Sequence, residues 1–284
     1  VSPERLAQRW GHGRSRPWRE RIRLDHQARA ELDRFIAAFQ ELVGADLTLY
    51  KPAQVYSRAR GRADHYRLES LDDYLLFLQR FPDERARFLN GLTPGVSEFF
   101  RDAARWSWLA EHLLPGLLGA GRALKLWSAG CASGAEAYSL AMLLEDYSPG
   151  VPHFLLATDV DREALNRAAA GVYSAQELQC LPLQYADWLT PCEEGVAVAS
   201  HIRRKVTFAA HDLLRDPFEE DFDLIACRNV MIYLSDDAKA RLYERFASAL
   251  ALGGVLFVGS AERISEAGRC AFEEMAPGFY RRVG

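Results

Sequence analysis

Between residues 26 and 42 the apolar positions fall at Leu32, Phe35, Ile36 and Phe39, a spacing that predicts an amphipathic helix. A second helix is expected over about 53–66, with Pro52 in its first turn, where a missing N–H goes unnoticed. Shorter helices follow at 71–80 and 83–90, so residues 1–92 read as an all-helical N-terminal domain. A Gly- and Pro-containing loop over 91–95 leads into Ser97-Glu98-Phe99-Phe100-Arg101, and one more helix should run to about 118. Beyond that the rhythm changes. Strands are expected at 123–128, 153–158, 205–208, 222–227 and 255–259. Helices are expected at 134–147, 161–170 with Asp161 as N-cap, and 236–251. Strands alternating with helices predict an α/β fold with a doubly wound, mostly parallel sheet over 93–284. The stretch 174–204, with Pro182, Pro191 and Gly195, does not fit that alternation and reads as an inserted subdomain.

Composition bounds the function classes. The chain has 284 residues and 32.0 kDa, 49% of them hydrophobic and 26% charged, which excludes a disordered, collagenous or disulfide-stapled protein. No apolar run reaches the ~18–20 residues that span a bilayer, and no signal peptide is recognised. A cytoplasmic location without direct membrane insertion is therefore expected. The sequence starts at Val1, as a trimmed or partial chain would. Cys131, Cys180, Cys192, Cys227 and Cys270 show no CxxC spacing, which predicts reduced thiols and no metal site. The net charge is 35 − 39 = −4, unevenly spread. Residues 1–67 hold 14 basic against 8 acidic side chains, a balance of +6, and the rest hold 21 against 31, a balance of −10. A basic head suits an acidic partner; a solvated arginine-rich surface is the plain alternative. Nucleic acid is disfavoured, because the site-bearing half is acidic and lacks a basic surface interleaved with aromatics.

In an open parallel sheet, ligands bind beyond the carboxyl ends of the strands. Three groups of residues fall there. Ser128-Ala129-Gly130-Cys131-Ala132-Ser133-Gly134 joins a strand to a helix, and its glycines allow close backbone approach to a ligand. Asp159 ends the second strand, where a carboxylate accepts two hydrogen bonds from ribose hydroxyls. Finally, the buried strand 222–227 runs straight into Arg228-Asn229 and ends at Tyr233. These features imply a nucleoside-bearing cofactor without separating NAD from S-adenosylmethionine. The missing third glycine of a pyrophosphate loop tilts the reading towards the methyl donor.

At this point the sequence resembles the chemotaxis receptor methyltransferases of the CheR type. The blocks SEFFRD (97–102), LWSAGCASGAEAYSLA (126–141), ATDVD (157–161), FDLIACRNVMIY (222–233) and GGVLFVGSAE (253–262) stand in that family's order. The resemblance spans about 35–280. It implies a helical domain joined to a methyltransferase domain with a small antiparallel β-subdomain inserted. S-adenosylmethionine is the implied cofactor, with S-adenosylhomocysteine as product. The implied donor-binding residues are Gly95, Ser97, Arg101, Gly130, Glu136, Asp159, Asp212, Leu213, Arg228 and Asn229. Glu136 would meet the donor's amino-acid end, Asp159 its ribose, and Asp212-Leu213 its adenine. Arg101 and Tyr233 are the implied catalytic pair. Gly95 stands where the family commonly has Asn, Ser97 where it has Thr, and Gly259-Ser260-Ala261-Glu262 where it has GHSE.

The reaction so implied is attack of a receptor glutamate oxygen on the donor's methyl carbon, giving a glutamyl methyl ester for sensory adaptation. The partner would be the cytoplasmic helical bundle of methyl-accepting chemoreceptors. Lys51, Arg58 and Arg62, spaced by 7 and 4 on the second helix, form a basic stripe suited to an acidic helix. Rival readings are a methyltransferase for another acceptor, a non-catalytic regulator that binds the donor or its product, and an NAD-dependent dehydrogenase. A monomer is the working expectation for the oligomeric state.

Overall fold

The computed structural model describes residues 24–93, 95, 97–119, 121–264 and 271–284. The outlying segment 1–23 carries seven of the head's fourteen basic residues and two of its eight acids. The basic head therefore lies in large part outside the described residues; over 24–67 the balance is only 7 − 6 = +1.

The N-terminal domain is built from α1 (His26–Val43), α2 (Pro52–His65), α3 (Leu71–Arg80) and α4 (Pro82–Asn90). Local signals set their ends. Asp25 caps α1 by accepting from Ala28 N–H, Gly44 ends it at φ 70°, and Ser70 with Asp73 forms a capping box on α3. Their apolar faces meet in a core centred on Leu32, Phe35, Phe39, Tyr74 and Phe88, all fully buried. Burying each large side chain contributes roughly 2–3 kcal/mol, which is what holds four short helices together.

A connecting segment follows: α5 (Ala103–Trp108), a π-helical turn (Leu109–Leu113) and α6 (Leu114–Leu118). The single expected helix is interrupted there, beside Pro115, which has no N–H to give to the ladder. The main sheet then begins with β1 (Lys125–Ala129), α7 (Ala135–Tyr147), β2 (Phe154–Asp159) and α8 (Arg162–Ala170), whose N-cap is Asp161. A separate antiparallel sheet is made by β3 (Val172–Tyr173), β4 (Leu189–Cys192) and β5 (Gly195–Val198), closed by α9 (Ser200–Arg203). This is the expected insertion, starting two residues early. The main sheet resumes with β6 (Val206–Ala210), β7 (Phe222–Cys227), α10 (Asp236–Ala249), β8 (Leu250–Val258), β9 (Phe272–Ala276) and β10 (Phe279–Arg282).

The seven-stranded order is β6-β2-β1-β7-β8-β10-β9, parallel from β6 to β8 and antiparallel across β10 and β9. The chain winds outwards from β1 to one edge, then returns beside β1 with β7. That reversal places the switch point, and so the ligand crevice, between β1 and β7. Apolar cores cover both faces of the sheet, one around Tyr138 and Phe257, the other around Trp127 and Phe246. Two details depart from the sequence reading. Helix α10 stops two residues early, because β8 already begins at Leu250; and the closing β9–β10 hairpin, turned at Gly278 with φ 87°, was not expected.

The two domains are joined by backbone. Tyr50 forms an antiparallel bridge with Leu234, Ser235 N–H donates to Leu49 O at 2.9 Å, and Lys51 N–H donates to Tyr233 O at 3.0 Å.

Candidate active site

A cavity of about 250 Å³ opens at the carboxyl ends of β1, β2 and β7. A smaller one of about 30 Å³ adjoins it, sharing Arg101, Gly130, Ala132, Arg228 and Asn229. The turn after β1 forms the floor. Gly130 has φ 81°, and a Cβ there would sit 2.5 Å from Val230 Cγ2, so a side chain at this position would be strained and would press on Val230. Phe100, Asp102, Ala132 and Asn229 also adopt left-handed backbone, at φ 49°, 64°, 48° and 61°. Such conformations cost about 1 kcal/mol or more each and persist only where neighbours hold them. Here Ser139 Oγ accepts from Phe100 N–H (3.0 Å), and Asp159 accepts from Ala132 N–H (2.8 Å).

Asp159 lines the large cavity with both carboxylate oxygens anchored, one by Ala132 N–H and the other by Asp161 N–H at 2.9 Å. Burial raises its pKa against the pull of those amides. Glu136 lies in the small cavity, where Ser128 Oγ donates to it at 2.8 Å and Arg228 stands at 3.5 Å. Burial raises its pKa too, and Arg228 opposes the rise. The Arg228 side chain is itself buried. It donates to Arg101 O (2.7 Å), pairs with Asp102 (3.0 Å), and packs over the rings of Phe257 and Trp106. One polar atom, Arg228 Nε, has no protein partner among the described residues.

Of the residues expected to bind the donor, Gly95, Arg101, Gly130, Asp159, Asp212, Leu213, Arg228 and Asn229 line the large cavity, together with Tyr233. Ser97 and Glu136 line the small one. Tyr233 has its phenol pKa raised by burial, with the Arg101 charge pulling it down. Cys131 and Cys227 are buried, their thiols pushed well above the ordinary value by burial, so neither offers a thiolate nucleophile. At Gly95 a Cβ would sit 3.0 Å from Ala132 Cβ, so a larger residue would press on the floor of the site.

The basic stripe looks different in three dimensions. Lys51, Arg58 and Arg62 line neither cavity. Arg62 is paired through two nitrogens with Glu84, a carboxylate only 2% exposed that also accepts from Tyr66 and Tyr74. Arg58 is half-buried and donates to Arg87 O at 3.2 Å. Lys51 remains exposed, with Nζ donating to Ile232 O at 2.6 Å beside Tyr233. In place of a free basic face, α2 presents one lysine near the site and two arginines engaged within their own domain, because a buried acid and an open carbonyl lay within their reach.

Several residues in and around the site were given no role from the sequence. Glu262 is 5% exposed and accepts from Gly259 N–H (2.7 Å), Asn229 N–H (2.8 Å) and Met231 N–H (2.8 Å), fastening the 228–233 turn. An acid just past a buried strand was the available signal, the same one that marked Asp159. His211 and Tyr50 also line the cavity, and no local pattern distinguishes either. Among the described residues no group of three or more His, Cys, Asp or Glu is arranged to hold a metal.

The set suits an elongated nucleoside-bearing cation. The larger cavity is lined by apolar Leu213, Leu214 and Ile232 and by the anchored carboxylate of Asp159, and the smaller one adds Glu136, with Arg101 and Arg228 shared between the two. Residues 95–277 match the family described as CheR methyltransferase, SAM binding domain, and residues 30–93 match CheR methyltransferase, all-alpha domain. A chemotaxis protein methyltransferase of Listeria monocytogenes is 38% identical over 226 residues, covering 78% of this chain and 86% of its own. Chemotaxis protein methyltransferase 2 of Pseudomonas aeruginosa is 31% identical over 253 residues, covering 85% and 89%. Among solved structures, PKMT2 from Rickettsia typhi in complex with AdoHcy aligns over 48% of this chain and 20% of its own, at 19% identity and a TM-score of 0.32. With both of its domains matched in order, the chain belongs to the CheR methyltransferase family, and its sheet is that family's S-adenosylmethionine-binding domain.

Proposed function

We propose that the chain methylates glutamate side-chain carboxylates on the helices of chemoreceptors, as the names of its chemotaxis relatives suggest. The observation that carries this reading is the meeting of Arg101 and Tyr233 at one cavity, with Arg101 also reaching the smaller, charged one. When bound, S-adenosylmethionine supplies a methyl group activated by a sulfonium. The chain's own residues then have to bind, align and exclude. Asp159 takes the ribose hydroxyls, Glu136 the amino-acid end, and Asp212 with Leu213 the adenine.

An acceptor glutamate with a pKa of about 4.3 is already ionised at neutral pH, so no general base is needed. That agrees with a Tyr233 whose raised pKa keeps its hydroxyl protonated and able to donate. Arg101 offers a planar fork that matches a carboxylate. The contribution is orientation and charge placement rather than proton transfer.

The test is transfer of radiolabelled methyl groups to glutamate-rich receptor helices, read as base-labile esters. In Arg101→Ala the rate should fall by about a hundredfold or more, while S-adenosylhomocysteine still binds measurably. The backbone oxygen of residue 101, which accepts from Arg228 and Trp106, is untouched by that change. Retained turnover would remove Arg101 from the mechanism. Binding without transfer to any such helix would favour a regulator in place of an enzyme.

A further inference from the structure

Asp102 breaks the rule of its own position. It stands at the N-cap of α5, where an aspartate ordinarily has extended backbone and accepts from an N–H of the first turn. Here the backbone is left-handed, at φ 64° and ψ 59°, and the side chain makes no capping bond. The carboxylate accepts instead from Arg228 Nη2 at 3.0 Å, across 126 residues of chain. A residue that forgoes the local bond for a distant one serves something other than its own helix. Arg228 in turn lies between two acids. Its Nη2 meets Asp102 and also donates to Arg101 O at 2.7 Å, while Nη1 stops 3.5 Å from Glu136 Oε2. Glu136 thus has Oε1 held by Ser128 Oγ at 2.8 Å and Oε2 only loosely met. A charge-assisted pair ordinarily closes to about 2.7–2.9 Å, so the guanidinium is directed mainly at Asp102.

We propose that Asp102 is a positioning residue for the methyl donor, holding Arg228 off Glu136 so that the Glu136 carboxylate stays open to an ammonium group. With a neutral residue at 102, the nearest counter-charge for Arg228 is Glu136, and a closed pair between them leaves little field for a second cation. Two acids around one guanidinium leave one negative charge in excess, and Glu136 carries it to the wall of the smaller cavity. The other charged residues lining that cavity, Glu98 and Arg101, offset each other in number. Asp102 has this role only if Glu136 takes the donor's amino-acid end, the reading proposed for it.

Calorimetry on the full chain with two ligands tests it: S-adenosylhomocysteine, and methylthioadenosine, which keeps the nucleoside and the thioether but lacks the amino-acid end. Asp102→Asn removes the charge and Asp102→Gly the whole side chain. Both new residues tolerate positive φ, so if one variant fails to fold the other still reports. Binding of S-adenosylhomocysteine should weaken about fivefold in the asparagine variant and about tenfold in the glycine one. Methylthioadenosine should stay within about twofold of its wild-type affinity. Unchanged affinity for S-adenosylhomocysteine, or equal weakening of both ligands as a merely structural role would give, overturns the proposal. Glu136→Gln should show the same selective loss. If it does and the Asp102 variants do not, only the role of Asp102 falls. If Glu136→Gln leaves S-adenosylhomocysteine binding unchanged, the assignment of Glu136 falls, and that of Asp102 with it.

Discussion

Glu262 shows how much a single carboxylate can organise. Its two oxygens accept three backbone N–H groups, two of them in the turn that holds Asn229 in left-handed backbone. A truncated side chain leaves those buried donors unpaired, each a loss of about 1–3 kcal/mol before relaxation. Glu262→Ala should therefore destabilise the fold by about 3 kcal/mol or more, and Glu262→Gln by less, since an amide oxygen can still serve the two amides that share Oε2. Urea midpoints measure both; an unchanged midpoint for the alanine variant would contradict the role. At this scale, acids at strand ends were readable because position and chemistry coincide, as at Asp159. Tyr50 was not, because its meaning depends on Leu234, with which no sequence pattern connects it.

The pairing of α2 with α4 is an interaction of the next scale. Arg62 on one helix and Glu84 on the other form a largely buried pair, with Tyr66 and Tyr74 donating to the same carboxylate. Burial raises the pKa of Glu84, yet hydrogen bonds from Arg62, Tyr74 and Tyr66 outweigh it and hold the group below its ordinary value. A depressed folded pKa contributes stability above the unfolded value of about 4.5 that is lost as pH falls through the folded one. Arg62→Ala should cost about 3 kcal/mol, because it strands a buried carboxylate, and should flatten the acid limb of the stability profile. Thermal melts at several pH values would show it; a melt unaltered by the substitution would return Arg62 to the free basic stripe. Helix starts were legible to within a residue or two because their caps are written locally, as at Ser70, Asp161 and Ser235. The β9–β10 hairpin was not, since its strands are fixed by pairing to β8 rather than by their own short pattern.

Around the crevice, donor loading and the stability contributed by the buried acids respond to pH in opposite senses. Glu136, Asp159 and Glu262 all have pKa values raised by burial. A raised carboxylate binds its proton more readily in the folded chain, so acidification from neutrality relieves a strain that is fully present above the folded pKa. On the proposed reading, protonation of Asp159 and Glu136 also removes acceptors from the donor's hydroxyls and ammonium. Affinity for S-adenosylhomocysteine should therefore weaken as the pH falls from neutrality, beginning above where ordinary carboxylates titrate, and Asp159→Asn should blunt the trend. Calorimetry across that range checks it, and a flat profile would contradict it. The fold class was visible from alternation, and the residues at strand ends that were singled out do line the crevice. What stayed hidden was which charges are already paired at home, as Arg58 and Arg62 are, since pairing is a property of the assembled domain.

The joint between Leu49–Lys51 and Tyr233–Ser235 is made by main-chain atoms. Such a seam depends little on side-chain identity, beyond the Lys51 Nζ bond to Ile232 O and the need for an N–H at 51 and 235, so most substitutions can drift through both segments without opening it. A chimaera carrying a foreign all-α head could dock in the same register and keep its alignment. It would still inherit whatever residue the new head places at position 50, and with it a different wall for the cavity that Asp159 and Asp212 also line.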